Sequence, residues 1–304
     1  MDSMKWIVRS ALLVVAGSAF AGGDCLTLAF QGNVGGKVED CGCPKRPLGG
    51  LPHRAQLLQE MQATCANTLV VDAGNLLGAP EFEGGQAQTE FLLSESQRMG
   101  YRVLGIGRRD LNFGYEFLVE AAKSHGIALV SSNVRRGDAP AFEPWHVETV
   151  NGVRIGFASL SAGDTRYTKA GLNVAEPDAA LAAVLPSLRE QSDVIVLLSA
   201  LDRGETRKLI EALPADHGID FAIEGESSDH WQSAQNVNGV AMLAANSQGK
   251  YLGQLDLTLQ DGHWTGDYEM ALHEVDIQKK SDAEYAARLK KFAAERDKVA
   301  AGSR

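Results

Sequence analysis

The sequence predicts an α/β protein built as a four-layer αββα sandwich, with two sheets packed face to face and helices outside. Three observations predict it. Short apolar runs alternate with amphipathic stretches at a spacing that suits βαβ units and a largely parallel core. One pair of runs is joined by Asn151-Gly152, the dipeptide of a two-residue hairpin turn. A strand-rich block follows in the last third of the chain. At 304 residues, 44% of them hydrophobic and 22% charged, the chain can bury a full core and lacks the composition of disorder.

Residues 26–30, 68–71, 102–106, 127–130, 153–159, 194–199 and 219–223 read as buried strands, each a short apolar run. Residues 51–62, 86–99, 115–124, 179–189 and 205–213 carry the apolar periodicity of helices between them. Residues 146–150 and 153–157 form the hairpin across Asn151-Gly152. The later block supplies strands at 240–245, 252–259 and 264–272. Ser281 and Glu284 have capping-box spacing, and Tyr285, Leu289, Phe292 and Val299 make one modest apolar stripe. A terminal helix over 281–301 is expected.

Lys5 and Arg9 precede an apolar run that ends in Ala19-Phe20-Ala21, the pattern of an export signal cleaved near Ala21. The run is too short to span a bilayer. Asp24 precedes Cys25 where lipidation wants a small residue. Residues 1–21 carry Asp2, Lys5 and Arg9, net +1, so the formal charge of −10 becomes −11 without them. A periplasmic or secreted protein is expected, with no membrane span in the mature chain. No long basic run exists to bind phosphate backbones, so nucleic acid is excluded as a partner. The organisation is then a signal peptide over 1–21, a domain over 22–280 and a terminal helix over 281–304.

Several loops following the strands resemble the calcineurin-like metallophosphoesterases, in particular the catalytic domain of periplasmic 5′-nucleotidases. The first strand of that family ends in Asp-x-His; here Gln31-Gly32-Asn33-Val34-Gly35 puts Asn33 and Gly35 at those places. Asp-Ala-Gly-Asp becomes Asp72-Ala73-Gly74-Asn75, and Gly-Asn-His-Glu becomes Gly107-Arg108-Arg109-Asp110. A Leu-Ser-His segment is Leu198-Ser199-Ala200, and a Gly-His-x-His pair is replaced by Glu226 and Ser228. Ser131-Ser132-Asn133-Val134, Val150-Asn151-Gly152-Val153 and Asn246-Ser247-Gln248-Gly249-Lys250-Tyr251 fit the family's frame. The resemblance runs from residue 26 to about 259. It implies the αββα fold and a site for two metal ions at this edge. The ligand types are gone, however: neutral Asn, Gly, Ala and Ser supply neither bridging carboxylate nor imidazole, and Arg108 and Arg109 repel a divalent ion. The seven histidines fall elsewhere. No metal and no catalytic residue is expected at Asn33, Gly35, Asn75, Arg108, Arg109, Ala200, Glu226 and Ser228. The resemblance also implies a nucleotide-recognising domain after a connecting helix, and residues 281–304 read as a remnant of that linker.

Cys25, Cys41, Cys43 and Cys65 are an even set for an oxidising compartment. Cys25 and Cys65 each precede a strand and belong at one sheet edge, whereas Cys41 and Cys43 follow the first strand at the other. A structural Cys25–Cys65 bridge is therefore expected, with Cys41 and Cys43 left together; crossing of the two pairs is the alternative. Asp40-Cys41-Gly42-Cys43-Pro44 resembles a Cys-Gly-Cys subgroup of exported nucleotidase-like proteins, some associated with multihaem cytochromes. A bridge across so short a spacing is readily reduced, so the pair is a candidate thiol redox couple or a soft-metal site for Cu(I) or zinc. No Cys-x-x-Cys-His occurs.

Arg108 and Arg109 are also candidates for binding an anion directly, with Lys45, Arg46, Arg135 and Arg203 on loops at the same edge. The competing reading is an internal ion-pair network with Asp110, Asp202, Glu224 or Glu226. His53 reads as a surface residue at a helix start. Three functions remain: a non-catalytic binding protein for an unidentified, redox-linked exported partner; a hydrolase of phosphate or related esters with a rebuilt site; and a thiol-based enzyme or metal carrier.

Overall fold

A computed structural model describes residues 25–78, 85–202 and 204–302. The export signal, Arg203 and the side chain of Val299 lie outside the described residues. In chain order the elements are β1 (Cys25–Gln31), α1 (Leu51–Thr64), β2 (Thr68–Asp72), α2 (Gly85–Arg98), β3 (Tyr101–Gly105), α3 (Tyr115–Ser124) and β4 (Ala128–Val130). There follow β5 (Val134–Arg136), β6 (Ala139–Pro140), β7 (Trp145–Val150), β8 (Val153–Ser161), α4 (Thr165–Lys169), β9 (Asn173–Val174), α5 (Pro177–Gln191) and β10 (Val194–Ala200). The last are α6 (Glu205–Ala212), β11 (Phe221–Glu224), β12 (Gln235–Val237), β13 (Val240–Leu243), β14 (Tyr251–Gln260), β15 (His263–Glu274) and α7 (Ala283–Gly302).

Two six-stranded sheets result, ordered β15-β14-β1-β2-β3-β4 and β12-β13-β11-β10-β8-β7. Strands β1 to β4 run parallel, as do β8, β10, β11 and β13; the antiparallel strands lie toward the margins. Side chains alternate between the faces as the two-residue strand period requires. Leu26, Leu28, Phe30, Val71 and Val103 meet Ile155, Phe157, Val196, Leu198 and Phe221 between the sheets. The opposite face of the first sheet, with Ala29, Val70 and Leu104, packs on Leu51 and Leu58 of α1, Leu92 of α2 and Leu118 of α3. Ala158, Leu160 and Leu197 of the second sheet pack on Leu181, Leu185 and Leu188 of α5 and Ile210 of α6. These three cores separate four layers, the αββα sandwich expected from sequence.

The hairpin closes at Asn151 and Gly152, both at positive φ (52° and 83°), the backbone that such a turn requires. Gly253 pairs with Phe30, and a Cβ there would lie 2.1 Å from the Phe30 ring, so the inter-sheet aromatic needs that glycine. The small sheet β6-β5-β9 and the short α4 were not anticipated. Helix α7 starts one residue later than the capping box suggested. Asp282, not Ser281, caps it: its Oδ1 accepts the Tyr285 N–H at 2.8 Å, and the Glu284 carboxylate turns to Arg288 instead. The helix packs on the domain, with Phe292 stacked on Phe91 (centroids 4.3 Å apart) and Arg288 bound to the buried Glu95 at 2.8 Å.

Candidate functional site

The loops after β1, β2 and β3 meet those after β10 and β11 where the two sheets present the C-terminal ends of their parallel strands. Close backbone approach makes this possible. A Cβ on Gly225 would fall 2.0 Å from Ala73 O, and one on Gly107 would fall 2.4 Å from the Asn75 side chain. Asn33 and Asn75 both sit in the left-handed region (φ 54° and 60°), which asparagine tolerates better than most residues. These strand-end turns are built on neutral asparagines.

Backbone bonds lock these loops together: Asn33 N–H donates to Gly74 O (2.9 Å) and Gly35 N–H to Asn75 O (2.7 Å). The Asn33 amide donates to Glu226 O (3.1 Å) and Ser227 O (3.2 Å). The Asn75 amide donates to Gly225 O (3.0 Å) and to Glu226 Oε2 (2.6 Å), while its Oδ1 accepts the Arg109 N–H (3.0 Å). Arg108 Nη2 donates to Glu226 Oε1 at 2.6 Å and lies 3.2 Å from Asp202; its Nη1 is 3.9 Å from Asp164. Its hydrogen bond to the Glu226 carboxylate is the leading cause that raises the Arg108 pKa still higher than usual. Both Glu226 oxygens are thus committed, one to an amide and one to a guanidinium.

Of the sequence-derived positions, Asn33, Asn75, Arg108 and Glu226 are joined by hydrogen bonds. Gly35 lies under the Arg109 guanidinium, since a Cβ there would be 3.1 Å from its Nη1. Ala200 is buried against Gly74, with 3.1 Å from its Cβ to one built on that glycine. Ser228 is exposed on the loop beyond Glu226. For Arg108 the geometry favours the internal network over an open anion site. Its partners include Asp164, the cap of α4, which sequence reasoning missed because that helix was missed. Asp110 is not among them. It is buried and accepts N–H bonds from Asn75, Leu77 and Gly107, each at 2.8 Å; burial still raises its pKa to about 6. Asp72 is buried with one oxygen bonded to Gly74 N–H, and burial pushes its pKa up to about 8.

Two of the other candidate cations are engaged elsewhere. Arg46 pairs with Glu274, Arg135 donates to Asp138 O, and Lys45 is exposed. His53 is half-buried rather than on the surface, and the chain neighbour that matters is Arg54, fully buried beside Gln31 (3.4 Å). The signal was available, because Leu51, Arg54, Ala55, Leu58 and Met61 recur at helical spacing along one face.

The four cysteines form two bridges, Cys25–Cys65 and Cys41–Cys43, with Cα separations of 5.8 and 5.3 Å. The pairs do not cross. The Cys41–Cys43 loop rests on the end of β15 through Leu48, bridged to Asp276, and Arg46, paired with Glu274.

A two-metal centre needs several carboxylates and imidazoles directed at a common point. Here the amides of Asn33 and Asn75, the committed Glu226 and the Arg108 guanidinium occupy that ground, and the residues do not fit such a pair. Among the described residues, no group of three or more His, Cys, Asp or Glu is arranged to hold a metal ion.

No known protein-family profile matches the chain. It is 24% identical over 263 residues to the trifunctional nucleotide phosphoesterase protein YfkN of Bacillus subtilis, covering 71% of this chain and 18% of that protein. Its fold superposes on a 5′-nucleotidase precursor from Thermus thermophilus with a TM-score of 0.72, at 24% identity. That match covers 89% of this chain and 59% of the other. The calcineurin-like phosphoesterase structure of Bacillus subtilis YfkN gives 0.74 at 19% identity, over 91% of this chain and 99% of the other. The chain therefore spans less than a fifth of the first curated relative and about three fifths of the 5′-nucleotidase precursor. No described helix is long and apolar enough to cross a membrane. The chain has the calcineurin-like metallophosphoesterase fold, in the form that 5′-nucleotidases carry.

Proposed function

We propose that this chain is an exported, non-catalytic 5′-nucleotidase-like protein that binds a partner, with its remaining chemistry in the Cys41–Cys43 pair. The observation that carries the reading is the Arg108–Glu226–Asn75 arrangement. A guanidinium and an amide saturate the acidic side chain that a cation would need, and the Arg108 charge opposes cation entry. Two disulfides suit an oxidising compartment, in keeping with the export pattern before Ala21. The partner is an exported redox protein that meets the Cys41 loop; reduced, the same pair would offer two thiolates to Cu(I) or zinc.

The rival reading, a phosphoester hydrolase with a rebuilt site, draws on the likeness to nucleotide phosphoesterases and on the carboxylates of Asp164, Asp202 and Glu226 around Arg108. Assay of the purified chain with bis(p-nitrophenyl) phosphate and with adenosine monophosphate, in added manganese, separates the two. Background rates are expected. Turnover abolished by chelation and restored by manganese would overturn the non-catalytic reading.

A further inference from the structure

The two disulfides are built differently. Cys65 is buried at the C-terminal end of α1, ahead of β2, and its bridge to Cys25 closes a loop with a sequence separation of 40. The other pair stands in a loop with Gly42, Pro44, Lys45 and Arg46 exposed around it. Within that pair the sulfurs are not equivalent. Cys41 Sγ accepts two backbone N–H groups, from Cys43 at 3.3 Å and from Leu48 at 3.5 Å. Cys43 Sγ receives neither.

That asymmetry has a chemical consequence. N–H donors converging on a sulfur stabilise its thiolate, and in thiol–disulfide exchange the sulfur with the more stable thiolate leaves. The donors are fixed by the loop itself. Cys41 N–H donates to Leu48 O (2.9 Å), Asp40 pairs with Gly49, and Gly42 N–H donates to Asp40 Oδ1 (2.7 Å). Gly42 takes a positive φ of 63°, which lets the two cysteines face each other across it. The charges nearby are mixed: Asp40 and Asp276 are acidic, Glu39 is held by Arg296, Arg46 is held by Glu274, and Lys45 is exposed. The two N–H groups are the hydrogen bonds that distinguish the sulfurs.

We propose that Cys41–Cys43 is a directional thiol–disulfide exchange site for an exported dithiol protein, with Cys43 the sulfur attacked and Cys41 the leaving thiolate. A donor thiolate attacks Cys43 Sγ. The Cys41–Cys43 bond breaks, its electron pair leaves on Cys41, and a mixed disulfide forms at Cys43. The donor's second thiolate then attacks its own sulfur in that mixed disulfide and releases Cys43 as a thiolate. Two electrons pass from donor to chain, the donor emerges as a disulfide, and protons are taken up from water. This rests on the functional reading above and adds its direction and its class of partner.

The test uses the intact, oxidised chain with reduced glutathione as the probe, quenched with iodoacetamide and read by peptide mass spectrometry. The glutathionyl group is expected on Cys43 and the carbamidomethyl group on Cys41, with about a five-fold excess over the reverse. Cys25–Cys65 should remain intact. An even split, or glutathione mainly on Cys41, overturns the directional proposal while leaving the redox reading standing. Reduction of Cys25–Cys65 at the same rate, or resistance of both bridges, overturns both. A second measurement uses Cys43→Ser, which keeps both N–H donors on Cys41, beside Cys41→Ser. The pH profile of alkylation should place the Cys41 thiolate about one pH unit below that of Cys43. Coincident profiles contradict the proposal.

Discussion

The edge loops around Arg108 and the loop around Cys41 began as two candidate sites on one fold, and they have opposite physical character. Around Arg108, backbone approaches its neighbour closely, Asn33, Asn75, Arg108 and Glu226 are buried or half-buried, and each of the two amides donates to an oxygen of the cluster. Around Cys41, glycine and proline stand in solvent and a disulfide is held by a short ladder to Leu48 and Gly49. The difference teaches that two loop clusters on one fold can be held by unlike means, one by close backbone approach and the other by a short ladder. Asn33 and Asn75 take left-handed turns, and the Glu226 carboxylate beside them is bonded to the Asn75 amide and the Arg108 guanidinium.

Glycine substitutions break or sharpen this contrast most strongly. Gly225→Ala places a Cβ 2.0 Å from a backbone oxygen that cannot retreat, and should destabilise the chain by about 3 kcal/mol in urea denaturation. Gly42→Ala meets nothing within 4 Å and bears only the strain of positive φ, about 1 kcal/mol. Equal effects at both positions would erase the distinction between a packed and an open region.

The terminal helix provides the next effect. Phe292→Ala removes a ring stacked on Phe91 and should cost about 2 kcal/mol of unfolding free energy. No loss in denaturation, together with fast amide exchange across α7, would mean that the helix is only loosely attached.

Much of the fold was legible because its strands are fully buried and so read as continuous apolar runs, as in 194–199. The runs located nearly every core strand to within two residues. The small sheet β6-β5-β9 was not legible, since strands of two or three residues carry too little pattern. The positions of Asn33, Asn75, Arg108 and Glu226 could be read from the frame of the loops. Their bonding could not: Asp164 enters from a short helix, and Asp110 spends its oxygens on backbone N–H groups that no side-chain pattern reveals. The buried Arg54 was visible on the helical stripe but contradicts the expectation that such stripes are apolar.

A pH-dependent effect is expected from the buried carboxyls beneath the cluster. Burial raises Asp72 from 3.8 to about 8 and Asp110 to about 6, so the folded chain holds protons that the unfolded chain has released. Their contribution is fully present below pH 4 and is lost as pH rises through 6 and then 8. Stability should therefore fall across pH 4 to 8, with a slope of up to about 1.4 kcal/mol per pH unit from Asp72. Asp72→Asn should flatten that slope, measured by urea denaturation at each pH. An unchanged slope would show that Asp72 is ionised in the fold.

The central claim is that a guanidinium has taken the place of a metal pair, and metal content tests it most directly. The chain and Arg108→Ala are equilibrated with manganese, desalted and analysed by plasma mass spectrometry. The native chain should retain essentially none. Arg108→Ala removes the cation that opposes entry and should retain more manganese than the native chain, while falling short of a two-ion centre because Glu226 stays bonded to Asn75 and Asp164 to Arg166. Close to two ions in the native chain, lost on chelation, would contradict the account.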